Sequence, residues 1–189
     1  MREPTEYQTE RLFLRQWKAA DREPFGLICA DPEVMRFFIS SVLDRATSDA
    51  RIEKWAKLIE KDGWGFWALE LKANGAFIGF AGLQIPAENH PYMPCVEIGW
   101  RLARAYWGHG YATEAAMGVL NVAFGKLHMQ EIIATTALGN NRSSAVMRRV
   151  GMLGPEATFC FPDVPATNPL RHHVLYRVSR EQWSRQNGV

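Results

Sequence analysis

The sequence predicts a single-domain α/β fold, a mixed sheet with helices on its faces, and three observations carry that expectation. The hydrophobic period switches along the chain between helical spacing and strict alternation. Asn74-Gly75 separates two alternating runs, which is a strong hairpin signal. The order of segments is strand, helices, several strands, helix, strand, helix, two strands. That order does not repeat a β-α-β unit, so a regular doubly wound sheet is not expected. A chain of 189 residues fits one domain, residues 1–189, within the usual range of roughly 100–200.

Each element has its own cue. Leu12, Leu14 and Gln16 alternate with Phe13, Arg15 and Trp17 as a first strand. Asp21 can cap a short helix through Ala30, and Asp31-Pro32 can open another through Phe38. Thr47 to Asp62 reads as an amphipathic helix, with Ile52, Trp55, Ala56 and Ile59 on one stripe and a solvated charged face. Trp64 to Lys72 and Phe77 to Ile85 form the hairpin. Pro86 to Pro94 is a loop, and Cys95 to Leu102 a further strand. Tyr111 to Leu127 is a long helix burying Ala115, Ala116, Val119, Leu120 and Ala123. Glu131 to Ala137 is a strand and Ser143 to Val150 a helix. Strands at Leu153 to Phe161 and Leu170 to Val178 and a short helix with Trp183 close the chain, for about seven strands in all.

Composition excludes several classes. A hydrophobic fraction of 47% argues against disorder. A net charge of +2 gives no general electrostatic case for nucleic acid or an anionic membrane. Cys29, Cys95 and Cys160 are far apart and odd in number, so a reducing compartment is the simpler expectation. No apolar run approaches the roughly 20 residues of a membrane span. The start, Met1 to Glu6, lacks a signal-peptide pattern, and a cytoplasmic protein is expected.

The chemistry concentrates in Val96-Glu97-Ile98-Gly99-Trp100-Arg101-Leu102 and Trp107-Gly108-His109-Gly110-Tyr111-Ala112-Thr113-Glu114. This is a strand, a loop, a glycine pair and a helix start. Glycines let backbone amides approach an anion, and a helix N-terminus adds free donors and partial positive charge. The combination suits phosphate or pyrophosphate; alone, it is equally a glycine turn that starts a helix. No Gly-Lys-Ser/Thr follows, so the Walker pattern is absent. Thr113 stands where the dinucleotide fingerprint wants a third small residue, and Glu131 precedes its strand instead of ending it.

Together with Asn140-Asn141-Arg142-Ser143 and Val146-Met147-Arg148-Arg149-Val150-Gly151-Met152, these residues resemble the acyl-CoA motifs of the GNAT acetyltransferases. Met152 stands for the family's Phe. Thr9-Glu10-Arg11-Leu12-Phe13-Leu14-Arg15 and His173-Val174-Leu175-Tyr176 also resemble the Rim-type branch, which acetylates protein N-termini. One departure is Ala105, where the superfamily often has Gln or Arg, with Arg104 one place earlier. The resemblance implies the GNAT fold, with a mixed, mostly antiparallel central sheet.

It also implies acetyl transfer from acetyl-CoA to a primary amine in a ternary complex, without a metal. The strand backbone at Ile98, Trp100, Arg101 and Leu102 would pair with pantetheine amides, and an N–H near Trp100 would meet the developing oxyanion. Trp107, Gly108, His109, Gly110, Tyr111 and Ala112 would hold the pyrophosphate, and Asn140 and Ser143 would complete the coenzyme site. Glu97 is the candidate base and Ser143 the candidate acid. Their plainer alternatives are a solvated strand carboxylate and an N-cap. Phe37, Trp64, Phe66 and Tyr92 are the acceptor candidates by the same resemblance. The acceptor is a protein or peptide N-terminus first, and a small-molecule amine second. A non-catalytic acyl-CoA-binding module is a third reading, and a homodimer is compatible with such a fold.

Other chemistry is disfavoured. A covalent route through Cys95 lacks a visible His partner. His172 and His173, adjacent on a strand, face opposite sides and make a poor metal pair.

Overall fold

A computed structural model describes residues 6–188. The start at 1–5, to which most of the signal-peptide reading applies, lies outside the described residues, as does residue 189.

The centre is one mixed sheet of eight strands in the order β1-β2-β3-β4-β5-β6-β8-β7. Its strands are β1 (Tyr7–Gln8), β2 (Leu12–Arg15), β3 (Phe66–Leu71), β4 (Phe77–Gln84), β5 (Glu97–Leu102), β6 (Glu131–Ala137), β7 (Leu153–Cys160) and β8 (His172–Ser179). All neighbours run antiparallel except β5 and β6, which are parallel. The eighth strand is β1, two residues at the edge and too short to leave an alternation pattern.

Six helices flank the sheet: α1 (Arg22–Ala30), α2 (Pro32–Met35), α3 (Arg45–Asp62), α4 (Tyr111–Asn121), α5 (Asn141–Arg149) and α6 (Arg180–Asn187). The α3 helix begins two residues before Thr47 because Asp44 caps it, accepting from Thr47 N at 2.8 Å. It ends at Gly63, whose φ of 79° suits a left-handed stop. The α2 helix stops at Met35 instead of reaching Phe38. The long fourth helix widens into a π-turn over Val122–Lys126, closed by Leu127 N donating to Val122 O at 2.9 Å. Of the predicted stripes, Ile52, Trp55 and Ile59 are buried on α3 with Ala56 half-buried, and Ala115, Ala116, Val119, Leu120 and Ala123 are all buried.

Asp21 does not cap α1 with its side chain. Its carboxylate accepts two hydrogen bonds from the buried Arg15 guanidinium, at 2.7 and 2.8 Å, and one from Lys18 N. Arg15 also donates to Glu70 at 2.5 Å. Two carboxylates thus compensate one buried cation, as burial of a charge requires.

On the face covered by α1 and α3, Trp17, Phe25, Trp55, Phe66 and Phe80 form an aromatic cluster with ring centroids 4.8–6.0 Å apart. The α4 helix packs against β2, β4 and β5, and α5 against α4, β6 and β7. The site arises where this layered packing opens.

Candidate active site

Parallel β5 and β6 pair only at Glu97 and Ile133, joined by Ile133 N donating to Val96 O at 3.0 Å. Beyond Glu97 the strands splay, and the β5 edge from Ile98 onward faces an open cleft. Backbone amides and carbonyls there have no strand neighbour and suit the amides of an extended ligand.

Glu97 sits at the apex of the splay, half-buried. Its Oε1 accepts from Thr135 Oγ1 at 2.5 Å, and its Oε2 from Gln84 Nε2 at 2.8 Å. It is therefore a positioned carboxylate and not a freely solvated one. Sequence reading missed both partners. Gln84 lies directly across the antiparallel β4–β5 pair from Glu97, so exact register was needed to find it.

One arm of the cleft ends at the glycine turn. Gly108 and Gly110 both have φ of 82°, a left-handed conformation that side chains disfavour. The first bond inside α4 runs from Glu114 N to Gly110 O at 3.0 Å. The amides of Tyr111, Ala112 and Thr113 thus have no acceptor within the helix. A Cβ at Gly108 would meet nothing within 4 Å, so the turn is open to a ligand. These features fit a pyrophosphate.

A clasp from the N-terminal strand region supports the turn. Arg11 donates through Nε to Glu114 Oε2 at 2.6 Å, and through its amide to Oε1 at 2.7 Å. Its Nη1 donates to His109 O at 3.0 Å, and its guanidinium lies 4.7 Å from the Tyr111 ring centre. Thr9 Oγ1 also donates to Glu114. Burial would raise the Glu114 carboxyl, but these bonds hold it below its ordinary value. More than a hundred residues separate the partners, so no local signal announces them.

The opposite wall is the start of α5. Asn140, not Ser143, is its cap: Asn140 Oδ1 accepts from Ser143 N at 3.3 Å. Asn140 Nδ2 donates to Thr136 Oγ1 at 2.8 Å and to Ser143 Oγ at 3.1 Å. Asn140 therefore positions Ser143, whose oxygen already accepts a bond and whose own proton is left to donate outward. Arg142 reaches across to stack 4.4 Å over Trp107, joining the two motif segments.

Ile98, Trp100, Arg101, Leu102, Trp107, Gly108, Gly110, Tyr111, Ala112, Asn140 and Ser143 all line one cleft with Glu97. His109 does not. Of the acceptor candidates, Phe37 and Phe66 line it. Trp64 packs instead against the core, and Tyr92 against His90 and Phe159. Arg101 lines the cleft, but its side chain points away from the expected coenzyme edge, onto Phe38 and Cys29.

Cys95 does have a histidine neighbour, contrary to the sequence expectation: His90 Nδ1 is 3.9 Å from its Sγ. Burial and the Glu97 charge push the thiol upward, the opposite of nucleophile activation, and Cys95 lies off the cleft lining. His173 is buried and lines the cleft, while His172 is exposed on the other face. Among the described residues no group of three or more His, Cys, Asp or Glu is placed to hold a metal.

Comparison with known proteins places this cleft in context. The family described as acetyltransferase (GNAT) domain matches residues 11–153. YkkB of Bacillus subtilis is 34% identical over 156 residues, covering 80% of this chain and 87% of that protein. An Aspergillus fumigatus protein named FsC-acetyl coenzyme A-N(2)-transacetylase is 30% identical over 159 residues, covering 82% of this chain and 68% of that one. A GNAT-family acetyltransferase of Bacillus anthracis has the same fold, with a TM-score of 0.79 at 24% identity, over 94% of this chain and 99% of that one. The family match covers the splayed strand pair and the glycine turn, and the chain belongs to the GNAT acetyltransferases, enzymes that transfer an acyl group from acyl-CoA to an amine.

Proposed function

We propose that this acetyl-CoA-dependent N-acetyltransferase acts on a primary amine by direct attack in a ternary complex, with Glu97 as base and Ser143 as acid. The observation that carries the reading is Glu97, held by Thr135 and Gln84 at the apex of the cleft. An α-ammonium group has a pKa of roughly 8, so a modest base suffices to free its lone pair. The ammonium gives one proton to Glu97, directly or through water, and the freed amine nitrogen bonds to the thioester carbon. The nitrogen's second proton passes to solvent as the amide forms. The developing oxyanion meets an N–H near Trp100. The C–S bond breaks, and Ser143 passes a proton to the departing thiolate while regaining one from solvent. The Gly108 to Ala112 turn holds the pyrophosphate.

The first acceptor in this reading is a protein or peptide N-terminal α-amine, supported by the Rim-type resemblance at both ends of the chain. The second is a small-molecule amine, and Arg36, Arg51 and Arg101 in the cleft lining would suit one that also carries an anionic group. The reading places the protein in the cytoplasm as one domain. No helix of the described residues is long and apolar enough to cross a membrane.

Thiol release from acetyl-CoA with matched panels of peptides and small amines tests the assignment. Turnover of the peptide panel alone supports the first acceptor, and turnover of the small amines alone the second.

A further inference from the structure

Antiparallel register fixes what faces the acceptor side of the sheet. Gln84 lies opposite Glu97, Gly82 opposite Gly99, and Phe80 opposite Arg101. Glu97, Gly99 and Arg101 thus share one face, with Glu97 and Arg101 about 13 Å apart at their Cα atoms for four residues of strand. The two glycines leave the middle of this floor bare. The Phe66 ring lies over it, 3.3 Å from where a Gly99 Cβ would stand.

Arg101 is 4% exposed. Its guanidinium stacks 3.9 Å from the Phe38 ring centre and 5.4 Å from that of Phe80. Nη1 reaches only Cys29 Sγ, at 3.2 Å, and Nε has no partner. Among the described residues no carboxylate forms an ion pair with it. Arg51 lies close enough to add positive charge. Burial lowers the group to about 10, so it stays charged at neutral pH.

Arg15 is the comparison within the same fold. It is buried to nearly the same degree, and Asp21 and Glu70 both compensate it. A buried guanidinium without a counter-charge is costly, and an aromatic face compensates only part of that cost. Arg101 lines the cleft that also holds the candidate base.

We propose that the acceptor carries a carboxylate set off from its amine by a short apolar body, and that Arg101 binds that carboxylate while Glu97 faces the amine. The proposal rests on the acetyltransferase reading of the cleft and narrows its acceptor to a compact amino-acid-like molecule. A guanidinium pairs with a carboxylate through directed, charge-assisted bonds. Phe38, Phe66 and Phe80 suit an apolar body between the two charged ends. The depth of Arg101 favours a small molecule over the end of a folded protein. Arg101 is thus a specificity residue, and the reaction at the thioester is unchanged by it.

The test is thiol release from acetyl-CoA with primary amines bearing a carboxylate at increasing separation, each paired with its carboxamide. Peptides with Asp or Asn as second residue form a further arm. The wild-type enzyme should prefer an acid to its amide by about 10- to 100-fold in kcat/KM, the range for a hydrogen bond to a charged group. In Arg101→Gln that ratio should fall towards one, mainly through KM of the acid, and Arg101→Lys should restore part of it. Equal turnover of acids and amides overturns the proposal, as does a preference that persists in folded Arg101→Gln. Should Arg101→Gln fail to fold, the wild-type ratio decides alone. Turnover of neutral amines only refutes the carboxylate and leaves the acetyltransferase reading standing. A preference confined to Asp peptides refutes the compact acceptor. Release from no amine at all refutes both.

Discussion

Thr135 Oγ1 donates to Glu97 Oε1 at 2.5 Å, across the point where β5 and β6 last run side by side. The contact fixes the carboxylate where the two strands part, with Gln84 holding its other oxygen. A general base contributes about 10²–10⁴-fold to rate. Glu97→Gln should therefore lower kcat by about that factor, with little change in acetyl-CoA affinity. Thr135→Val, which only frees the carboxylate, should cost about 3- to 10-fold, near 1 kcal/mol. A Glu97→Gln enzyme with wild-type kcat assigns the residue to strand packing.

The Arg11–Glu114 clasp holds the phosphate turn from outside. Arg11 is exposed, so the ion pair alone is worth little; the added bonds from Thr9 and the Arg11 amide make Glu114 matter more. Glu114→Ala should destabilise the fold by about 1–2 kcal/mol and raise KM for acetyl-CoA several-fold. Arg11→Ala should cost less. Urea melts and acetyl-CoA titrations of both variants give the comparison, and an unchanged KM in Glu114→Ala contradicts the clasp.

His90 and His173 are both buried, and burial holds each below the ordinary histidine value of 6.5, although Glu97 opposes this at His90. The unfolded chain therefore takes up protons in a range where the folded chain does not. Their contribution to stability is fully present above about 6.5 and is lost as the pH falls through the folded values. The urea midpoint should drop between pH 7.5 and 5.5, and His173→Gln should flatten that dependence. A midpoint independent of pH across this window counts against two neutral buried imidazoles.

Gly82 is fixed by close approach of its neighbour strand. An added Cβ would stand 2.0 Å from Gly65 O and 2.7 Å from Phe66 Cα. Both are backbone atoms that no rotamer change can move. Gly82→Ala should destabilise by about 3 kcal/mol or more, at the upper end of overpacking costs. Gly108→Ala meets no atom and should retain more of the fold than Gly82→Ala, with its loss in coenzyme affinity. Thermal melts of the two variants separate the roles.

The sequence showed the parts of this site that are local in the chain. The glycine turn, the helix after it and the buried stripe of α4 follow from spacing, and all appear as expected. Ser143 as the α5 cap was wrong because Asn140, with an amide of the right reach, takes that place. What stayed hidden comes from long-range register. Gln84 and Thr135 around Glu97, Arg11 against Glu114, and the His90–Cys95 contact all require knowing which strands and loops meet. Aromatic identity alone could not divide Phe37 and Phe66, on the cleft, from Trp64 and Tyr92, packed elsewhere. Arg101 was assigned to the coenzyme edge from its motif position. That assignment concerned its backbone; its side chain packs on Phe38 and Cys29, which lie far off in sequence.

Acceptor-dependent release of thiol from acetyl-CoA tests the central claim most directly. The account predicts saturable release with a KM for acetyl-CoA in the range of about 1 μM to 1 mM, and a kcat lower by about 10²–10⁴-fold in Glu97→Gln. Acetyl-CoA that stays intact with every amine acceptor, carboxylate-bearing or neutral, would contradict it.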